Sequence, residues 1–145
     1  MAQRNGSAQW RGDLQNGSGT VTVGSGVFEG AYSFDSRFGE GEGGGTNPEQ
    51  LIAAAHAACF TMALSNILST AGHVPESVRT EAHVDLRFID GAPTLTRIRL
   101  DTEGNVPGLG EQEFQRFADE AKVGCPVSRA LAGVPDITLT AKLVS

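Results

Sequence analysis

The chain has 145 residues, of which 39% are hydrophobic, and its formal net charge is -6 at pH 7. This size and composition predict one domain, residues 1–145, with enough apolar residues to form a core. The acidic balance, with basic residues scattered along the sequence, argues against nucleic acid and anionic membranes as partners, because both are bound through basic patches.

The amino-terminal residues lack the apolar segment of an export signal. No run of about 20 residues is apolar without polar interruption, as a membrane span would require. The sequence therefore predicts a cytoplasmic protein, in which thiols stay reduced and a structural disulfide is not expected. Its two cysteines, Cys59 and Cys125, are then either inert core residues or redox-active groups.

The first third of the chain has the pattern of β-strands separated by glycine turns. Strands are predicted over residues 7–10, 20–23 and 27–34, where β-branched and aromatic residues concentrate. A loop rich in glycine, residues 39–45, follows them.

The clearest helix is predicted from residue 48 to about residue 71. Thr46 or Asn47 can cap its start, and a proline at position 48 suits the first turn. Glu49 in the same turn favours the positive end of the helix dipole. The apolar residues cover nearly all faces of this helix, which predicts that it is buried on all sides.

Five elements are predicted after this helix. They are a strand at residues 78–88, a strand at 97–101, a helix at 111–123, a short helix at 126–131 and a strand at 137–144. Asp90 and Gly91 predict a hairpin turn between the first two of these strands. Strands, helix, strands, helix and strand in this order predict an α+β fold. The central helix is expected to pack on a sheet whose other face is wet.

The two cysteines differ in their surroundings. Cys59 lies in the middle of the apolar helix, and Cys125 lies directly before the short helix. Packing as small hydrophobic residues is equally compatible with both positions. A reactive Cys59 needs a cation nearby, because burial alone raises the pKa of a thiol. At Cys125, free backbone amides of the helix start favour a thiolate.

Arg37 is the candidate cation, because it precedes the glycine-rich loop within chain reach of the central helix; a solvated surface arginine is the alternative. Glu49 is its natural partner. Glu49 and Cys59 are ten residues apart on one helix, which is about 15 Å along the axis. One copy's Glu49 is not expected to reach its own Cys59. We therefore infer a two-fold dimer in which an antiparallel second helix completes each site.

Other motifs are weak. The glycines of residues 39–44 match a dinucleotide fingerprint by spacing, but Glu40 and Glu42 would repel a pyrophosphate and no βαβ unit surrounds them. His56 and Cys59 supply two metal ligands where a zinc site needs more. No nucleophile elbow supports Ser–His–Asp catalysis. The sequence therefore predicts neither a cofactor nor a metal.

Four segments together resemble a known family. They are AQWRGD at residues 8–13, SRF at 36–38, GTNPEQLIAAAHAACF at 45–60 and GCPVS at 124–128. They resemble the OsmC/Ohr peroxidases, which comprise the osmotically inducible proteins and the organic hydroperoxide resistance proteins. The position of Arg37 resembles the OsmC branch, and the similarity runs almost from end to end.

The resemblance implies an intertwined homodimer, with antiparallel sheets wrapped around two central buried helices. It implies that Cys59 is the peroxidatic cysteine and Cys125 the resolving one. Arg37 would favour the Cys59 thiolate and orient the peroxide, and Glu49 would hold Arg37.

The implied activity is reduction of organic hydroperoxides in oxidative and osmotic stress defence, with hydrogen peroxide left open as a second substrate. It would proceed through a sulfenic acid and then a disulfide, which an external dithiol reduces. Lipoylated proteins serve as that dithiol in related enzymes, and the sequence leaves thioredoxin and glutathione open as alternatives. Two alternatives remain: a non-enzymatic dimer that binds apolar ligands or senses oxidation through the same cysteines, and a structural protein with inert thiols.

Overall fold

The computed structural model describes residues 1–40 and 44–144, so Glu42 of the predicted glycine-rich loop lies outside the described residues. The chain forms two compact units, Met1–Leu51 and Ile52–Ser145. In the described residues the elements are β1 (Gly6–Arg11), β2 (Ser18–Val23), β3 (Phe28–Ser33), α1 (Phe34–Phe38), α2 (Pro48–Thr70), β4 (Ser77–Ile89), β5 (Ala92–Asn105), α3 (Glu111–Gly124), α4 (Pro126–Ala130) and β6 (Asp136–Leu143). This composition confirms the predicted α+β fold.

The first unit contains an antiparallel sheet in the order β1-β2-β3, which confirms the three predicted strands. The third strand ends earlier than predicted, because helix α1 begins at Phe34. A reciprocal cap starts this helix: the Ser36 amide donates to the Ser33 hydroxyl oxygen at 3.1 Å, and the Ser33 amide donates to Ser36 Oγ at 2.8 Å. Arg37 therefore lies in the last turn of a short helix that the sequence did not predict, directly before the predicted glycine-rich loop.

Hydrogen bonds join α1 to the start of α2 within the same unit. Asn47 caps α2, since its Oδ1 accepts from the Gln50 amide at 2.8 Å, as predicted. The Asn47 side chain also donates to the Ser36 carbonyl at 2.8 Å. Ser36 Oγ in turn donates to the Thr46 carbonyl at 2.7 Å. These contacts fix the direction in which Arg37 leaves α1 relative to the first turn of α2.

The second unit contains a sheet in the order β4-β5-β6. Asp90 and Gly91 have φ angles of 50° and 80°, which confirms the predicted hairpin turn between β4 and β5. β6 pairs with β5 in the parallel direction. The prediction of antiparallel sheets holds for the other strand pairs and is wrong for this one. The reason is that α3 and α4 form a crossover connection, which returns the chain in the direction of β5.

Helix α2 packs one face into the core of the second unit, as predicted for a helix on a sheet. Phe60, Leu64 and Leu68 are fully buried at helical spacing, in a cluster with Ile98 and Leu100 of β5. On the opposite face the side chain of Met62 is 75% exposed. The prediction of a helix buried on all sides is therefore wrong for the single chain, whose sheet covers one face.

Helix α2 is also long and apolar enough, by length and composition, to cross a membrane, contrary to the expectation from the sequence. The core helices of soluble proteins meet the same criteria. In α2, Phe60, Leu64 and Leu68 are fully buried in the core of the second unit, as in such a helix.

Replacing Phe60 with alanine is expected to lower the free energy of unfolding by about 3–5 kcal/mol, the range for removing a fully buried aromatic ring. Urea unfolding measures this change. Val74→Ala is the control, because the Val74 side chain is 72% exposed and its loss should change stability by less than about 0.5 kcal/mol. Equal effects of the two substitutions would contradict this packing.

Candidate active site

The structure brings Cys59 and Cys125 together within the second unit. Cys59 lies on α2 and is partly buried, whereas Cys125 lies between α3 and α4 and is fully buried. Both are free thiols. Each thiol shifts the pKa of the other through a side-chain hydrogen-bond interaction, which requires the two sulfurs to lie close together. The two cysteines are therefore neighbours, as the predicted disulfide chemistry requires.

Backbone amides at the start of α4 face the two sulfurs. The Ser128 amide donates to Cys125 Sγ at 3.5 Å. The Val127 amide acts to lower the pKa of both thiols. This arrangement confirms the expectation that free amides of the short helix lie beside Cys125.

The two thiols are tuned in opposite directions. Burial raises the pKa of Cys59, and its hydrogen-bond interaction with Cys125 raises it further, against smaller lowerings by the Val127 amide and then by the Arg129 charge. Burial also acts to raise the pKa of Cys125. There, hydrogen bonds from the Ser128 amide, the Cys59 thiol and the Ser128 side chain outweigh burial and leave the pKa below its ordinary value.

In the single chain, these shifts favour ionisation of Cys125, whereas the resemblance places the reactive thiolate at Cys59. The two thiols interact, so loss of the first proton is a property of the pair. A thiolate at Cys59 needs a stronger positive charge beside it than Arg129 supplies.

Arg37 and Glu49 form an ion pair within the first unit, which confirms the predicted pairing. Arg37 Nη2 lies 2.8 Å from Glu49 Oε1, and Nε lies 3.3 Å from each carboxylate oxygen. The Glu49 side chain is 10% exposed and that of Arg37 is 35% exposed. The guanidinium also lies over the Phe38 ring, 5.1 Å from its centroid. A forked, charge-assisted pair of this kind fixes the guanidinium plane and excludes a freely solvated arginine.

A cavity of about 440 Å³ lies beside this guanidinium in the first unit. Its lining is mainly aromatic and apolar, with Trp10, Leu14, Tyr32, Phe34, Arg37 and Phe38 among the contributing residues. Sequence reasoning missed this cavity, because these residues come from separate strands and from the unpredicted helix α1. An apolar cavity with one charged group suits a small molecule that is apolar at one end and polar at the other.

His56 and Ser128 form a buried contact that sequence reasoning also missed. His56 is fully buried on α2, and its Nε2 lies 2.7 Å from Ser128 Oγ. Burial lowers the pKa of His56, so the imidazole is neutral near pH 7. The sequence did carry one signal for this contact, because a histidine within an apolar helix requires a polar partner.

Within residues 1–40 and 44–144, no three His, Cys, Asp or Glu side chains are grouped so that they could hold a metal.

The comparisons with known proteins agree with these motifs. The family described as OsmC-like protein matches residues 40–140. The chain belongs to the OsmC family. The resemblance inferred from the sequence motifs is thereby confirmed.

Curated relatives cover between two thirds and nearly all of the chain. Peroxiredoxin OsmC of Escherichia coli (strain K12) is 48% identical over 143 residues, covering 98% of this chain and 97% of that protein. The organic hydroperoxide resistance protein of Xanthomonas axonopodis pv. citri (strain 306) is 37% identical over 100 residues, covering 68% of each chain. A solved structure of an organic hydroperoxide resistance protein OsmC from Legionella pneumophila matches with a TM-score of 0.70 and 26% identity over 100% of both chains.

Proposed function

We propose that the protein is a thiol-dependent peroxidase that reduces organic hydroperoxides in oxidative and osmotic stress defence. The observation that carries this proposal is that Cys59 and Cys125 lie close enough to shift each other's pKa, in a chain of the OsmC family. Relatives named peroxiredoxin and organic hydroperoxide resistance protein support the same activity.

The first chemical step is oxidation of Cys59. Its sulfur, once deprotonated, attacks the outer oxygen of the hydroperoxide; a sulfur–oxygen bond forms and the O–O bond breaks. Cys59 becomes a sulfenic acid, and the departing alkoxide takes a proton to become an alcohol. Cys59 suits this role better than Cys125 by access, because Cys59 is partly exposed and Cys125 is fully buried.

The second step closes the disulfide. The Cys125 sulfur attacks the Cys59 sulfur, the S–S bond forms, and the sulfenic hydroxyl leaves with a proton as water. Little movement is needed, because the two side chains are already in hydrogen-bond contact. An external dithiol then reduces the disulfide by exchange and is itself oxidised. A lipoylated protein is the proposed donor.

Arg37 and Glu49 are proposed to act in a homodimer. Glu49 and Cys59 are ten residues apart on the single helix α2, or about 15 Å along its axis. The guanidinium that stabilises the Cys59 thiolate is then supplied by the second copy, with Glu49 holding it in place. The exposed face of α2, which includes Ala54, Ala58 and Met62, is apolar enough to bury against that copy.

The substrate class is proposed from the cavity beside Arg37. A guanidinium that orients the peroxide oxygens would leave the organic substituent against Trp10 and Phe34, which both line the cavity. Burying an apolar substituent there is favourable. Hydrogen peroxide has no such substituent, so the cavity favours organic hydroperoxides.

We also propose that residues 1–145 act as one functional domain in the cytoplasm. The Escherichia coli relative covers 98% of the chain, which supports the single functional domain. Two adjacent free thiols suit a compartment that keeps cysteines reduced.

Sustained turnover tests the proposal. The purified protein is expected to consume cumene hydroperoxide in the presence of dihydrolipoamide. Cys125→Ser is expected to lose sustained turnover, because no resolving sulfur closes the disulfide. Mass spectrometry should then show two or three oxygen atoms added at Cys59. An unmodified Cys59 after exposure to peroxide would contradict the proposed order of events.

The aromatic cavity favours one rival function, the binding of an apolar ligand without turnover. The two functions predict different results when the protein is mixed with a hydroperoxide and a dithiol. A ligand-binding protein would show saturable quenching of Trp10 fluorescence by the hydroperoxide with no alcohol product, whereas a peroxidase releases one alcohol for each peroxide consumed.

A further inference from the structure

We propose that His56 and Ser128 are positioning residues for Cys125: the His56 Nε2–H holds the Ser128 hydroxyl so that its hydrogen is donated to the Cys125 sulfur. The role of this relay in peroxide reduction rests on the proposed function. The hydrogen-bond relay itself is a property of the second unit and can be measured without any peroxide.

The first step of the argument is the tautomer of His56. The side chain is fully buried, and Nε2 lies 2.7 Å from Ser128 Oγ. Nδ1 is buried without a hydrogen-bond partner among residues 1–40 and 44–144. A buried N–H without an acceptor is rarer and more costly than an acceptor that lacks a donor. The hydrogen of the neutral imidazole therefore belongs on Nε2, which donates to Ser128.

The second step is the direction of the Ser128 hydroxyl. A hydroxyl has one hydrogen, and its oxygen can accept at the same time. Because Ser128 Oγ accepts from His56, its own hydrogen is free to be donated onward. The Ser128 amide donates to the Cys125 sulfur at 3.5 Å, which places Ser128 beside that sulfur. The Ser128 side chain also acts to lower the pKa of Cys125 through a hydrogen bond, as a hydroxyl that donates to the sulfur would.

The third step is the chemical consequence. Hydrogen bonds donated to a thiolate favour the thiolate over the thiol. In disulfide closure the Cys125 thiolate attacks the Cys59 sulfenic sulfur: the S–S bond forms, the S–O bond breaks, and the hydroxide takes one proton from the buffer to leave as water. In the later reduction, Cys125 is the thiolate expelled when an external thiolate attacks Cys59, and a thiol of lower pKa leaves faster. The relay gives up none of its hydrogens in either step.

Among the described residues, two ionisable groups act on the sulfurs from neighbouring elements. Cys59 on α2 interacts with Cys125, and Arg129 on α4 acts on Cys59 through its charge. A Cys59→Ser background leaves Cys125 as the only thiol in the sequence, so a thiolate titration reports on one group. Substitutions at His56 and Ser128 leave Arg129 in place.

The experiment is a pH titration of the ultraviolet absorbance of the Cys125 thiolate in the Cys59→Ser background, which needs no reagent to reach the buried sulfur. Ser128→Ala should raise the midpoint pH of Cys125 ionisation by about one unit or more, since one hydrogen bond to a charged sulfur is lost. Ser128→Thr keeps the hydroxyl and should stay near the parent. His56→Leu should raise the midpoint, and His56→Gln, which keeps a donor at the ε position, should restore it. Ser69→Ala, at an exposed site on α2, is the matched control.

Equal midpoints for Ser128→Ala and Ser128→Thr would overturn the proposal, as would a His56→Leu midpoint equal to that of the parent. A second measurement needs no substitution. Nitrogen-15 NMR of the unaltered protein is expected to show His56 protonated at Nε2 and bare at Nδ1, and a hydrogen on Nδ1 would refute the relay. Absence of peroxide turnover would instead count against the proposed function, because neither measurement involves a peroxide.

Discussion

Cys59→Ser is expected to abolish peroxide reduction, lowering kcat by about 10³-fold or more, the scale on which removal of a nucleophile acts in enzymes. A serine oxygen cannot be oxidised to a sulfenic acid, so the first covalent intermediate does not form. The measurement is loss of cumene hydroperoxide with dihydrolipoamide as reductant. Urea unfolding of the variant checks that the fold is intact.

The matched control is Cys125→Ser, which makes the same chemical change at the neighbouring sulfur. Without an added reductant, Cys125→Ser should still consume peroxide in a first burst, because Cys59 remains to be oxidised. Cys59→Ser should show no burst. The comparison matters because, in the single chain, hydrogen bonds lower the pKa of Cys125 while burial raises that of Cys59.

The opposite result would reverse the two roles. A burst retained by Cys59→Ser and lost by Cys125→Ser would make Cys125 the residue that meets the peroxide. Burial argues against that outcome, because the peroxide would have to reach a fully buried sulfur. Thiolate character and access thus point to different cysteines, and the pair of variants decides which one governs the reaction.

Local signals in the sequence predicted much of the fold and the Arg37–Glu49 pair of the candidate site. The Asn47 cap and the Asp90–Gly91 turn are short-range features, and both occur as predicted. The pairing of Arg37 with Glu49 followed from opposite charges on either side of one loop, twelve positions apart. These features depend on residues close together in the chain, where few arrangements compete.

Features that depend on distant residues were wrong or absent. Helix α1 was not predicted because its five residues are too few for a 3.6-residue period to appear. Its capping box also uses two serines, where the usual pattern has a serine and a glutamate. The alternation of residues in β6 predicts a strand but not its direction, which the crossover through α3 and α4 sets.

The surroundings of the cysteine pair could not be predicted from the sequence either. His56 and Ser128 are 72 positions apart, and no motif around either residue indicates contact with the other. The amides of α4 predicted a lowered pKa at Cys125, and the Ser128 and Val127 amides do act to lower it. The opposite shift at Cys59 depends on how α2 packs against α4, which the sequence does not reveal.

The largest effect expected at the dimer level is complementation between two inactive chains. One chain carries Cys59→Ser. The other carries Arg37→Met with Glu49→Gln, which removes both charges so that no buried carboxylate is left unpaired. Each homodimer should have little activity. A heterodimer purified through two different tags should regain about half of the wild-type rate per dimer, because one of its two sites combines Cys59 of one chain with Arg37 of the other.

The reciprocal heterodimer makes this test decisive. Here one chain carries all three substitutions and the other is wild type. A site built from two chains then has no intact copy, since the only remaining Cys59 faces the substituted positions 37 and 49. A site built within one chain would keep the wild-type half active in this heterodimer and would be inactive in the first one. The two arrangements therefore predict opposite activities from the same set of substitutions, and the length of helix α2 between Glu49 and Cys59 is the physical reason to expect the shared site.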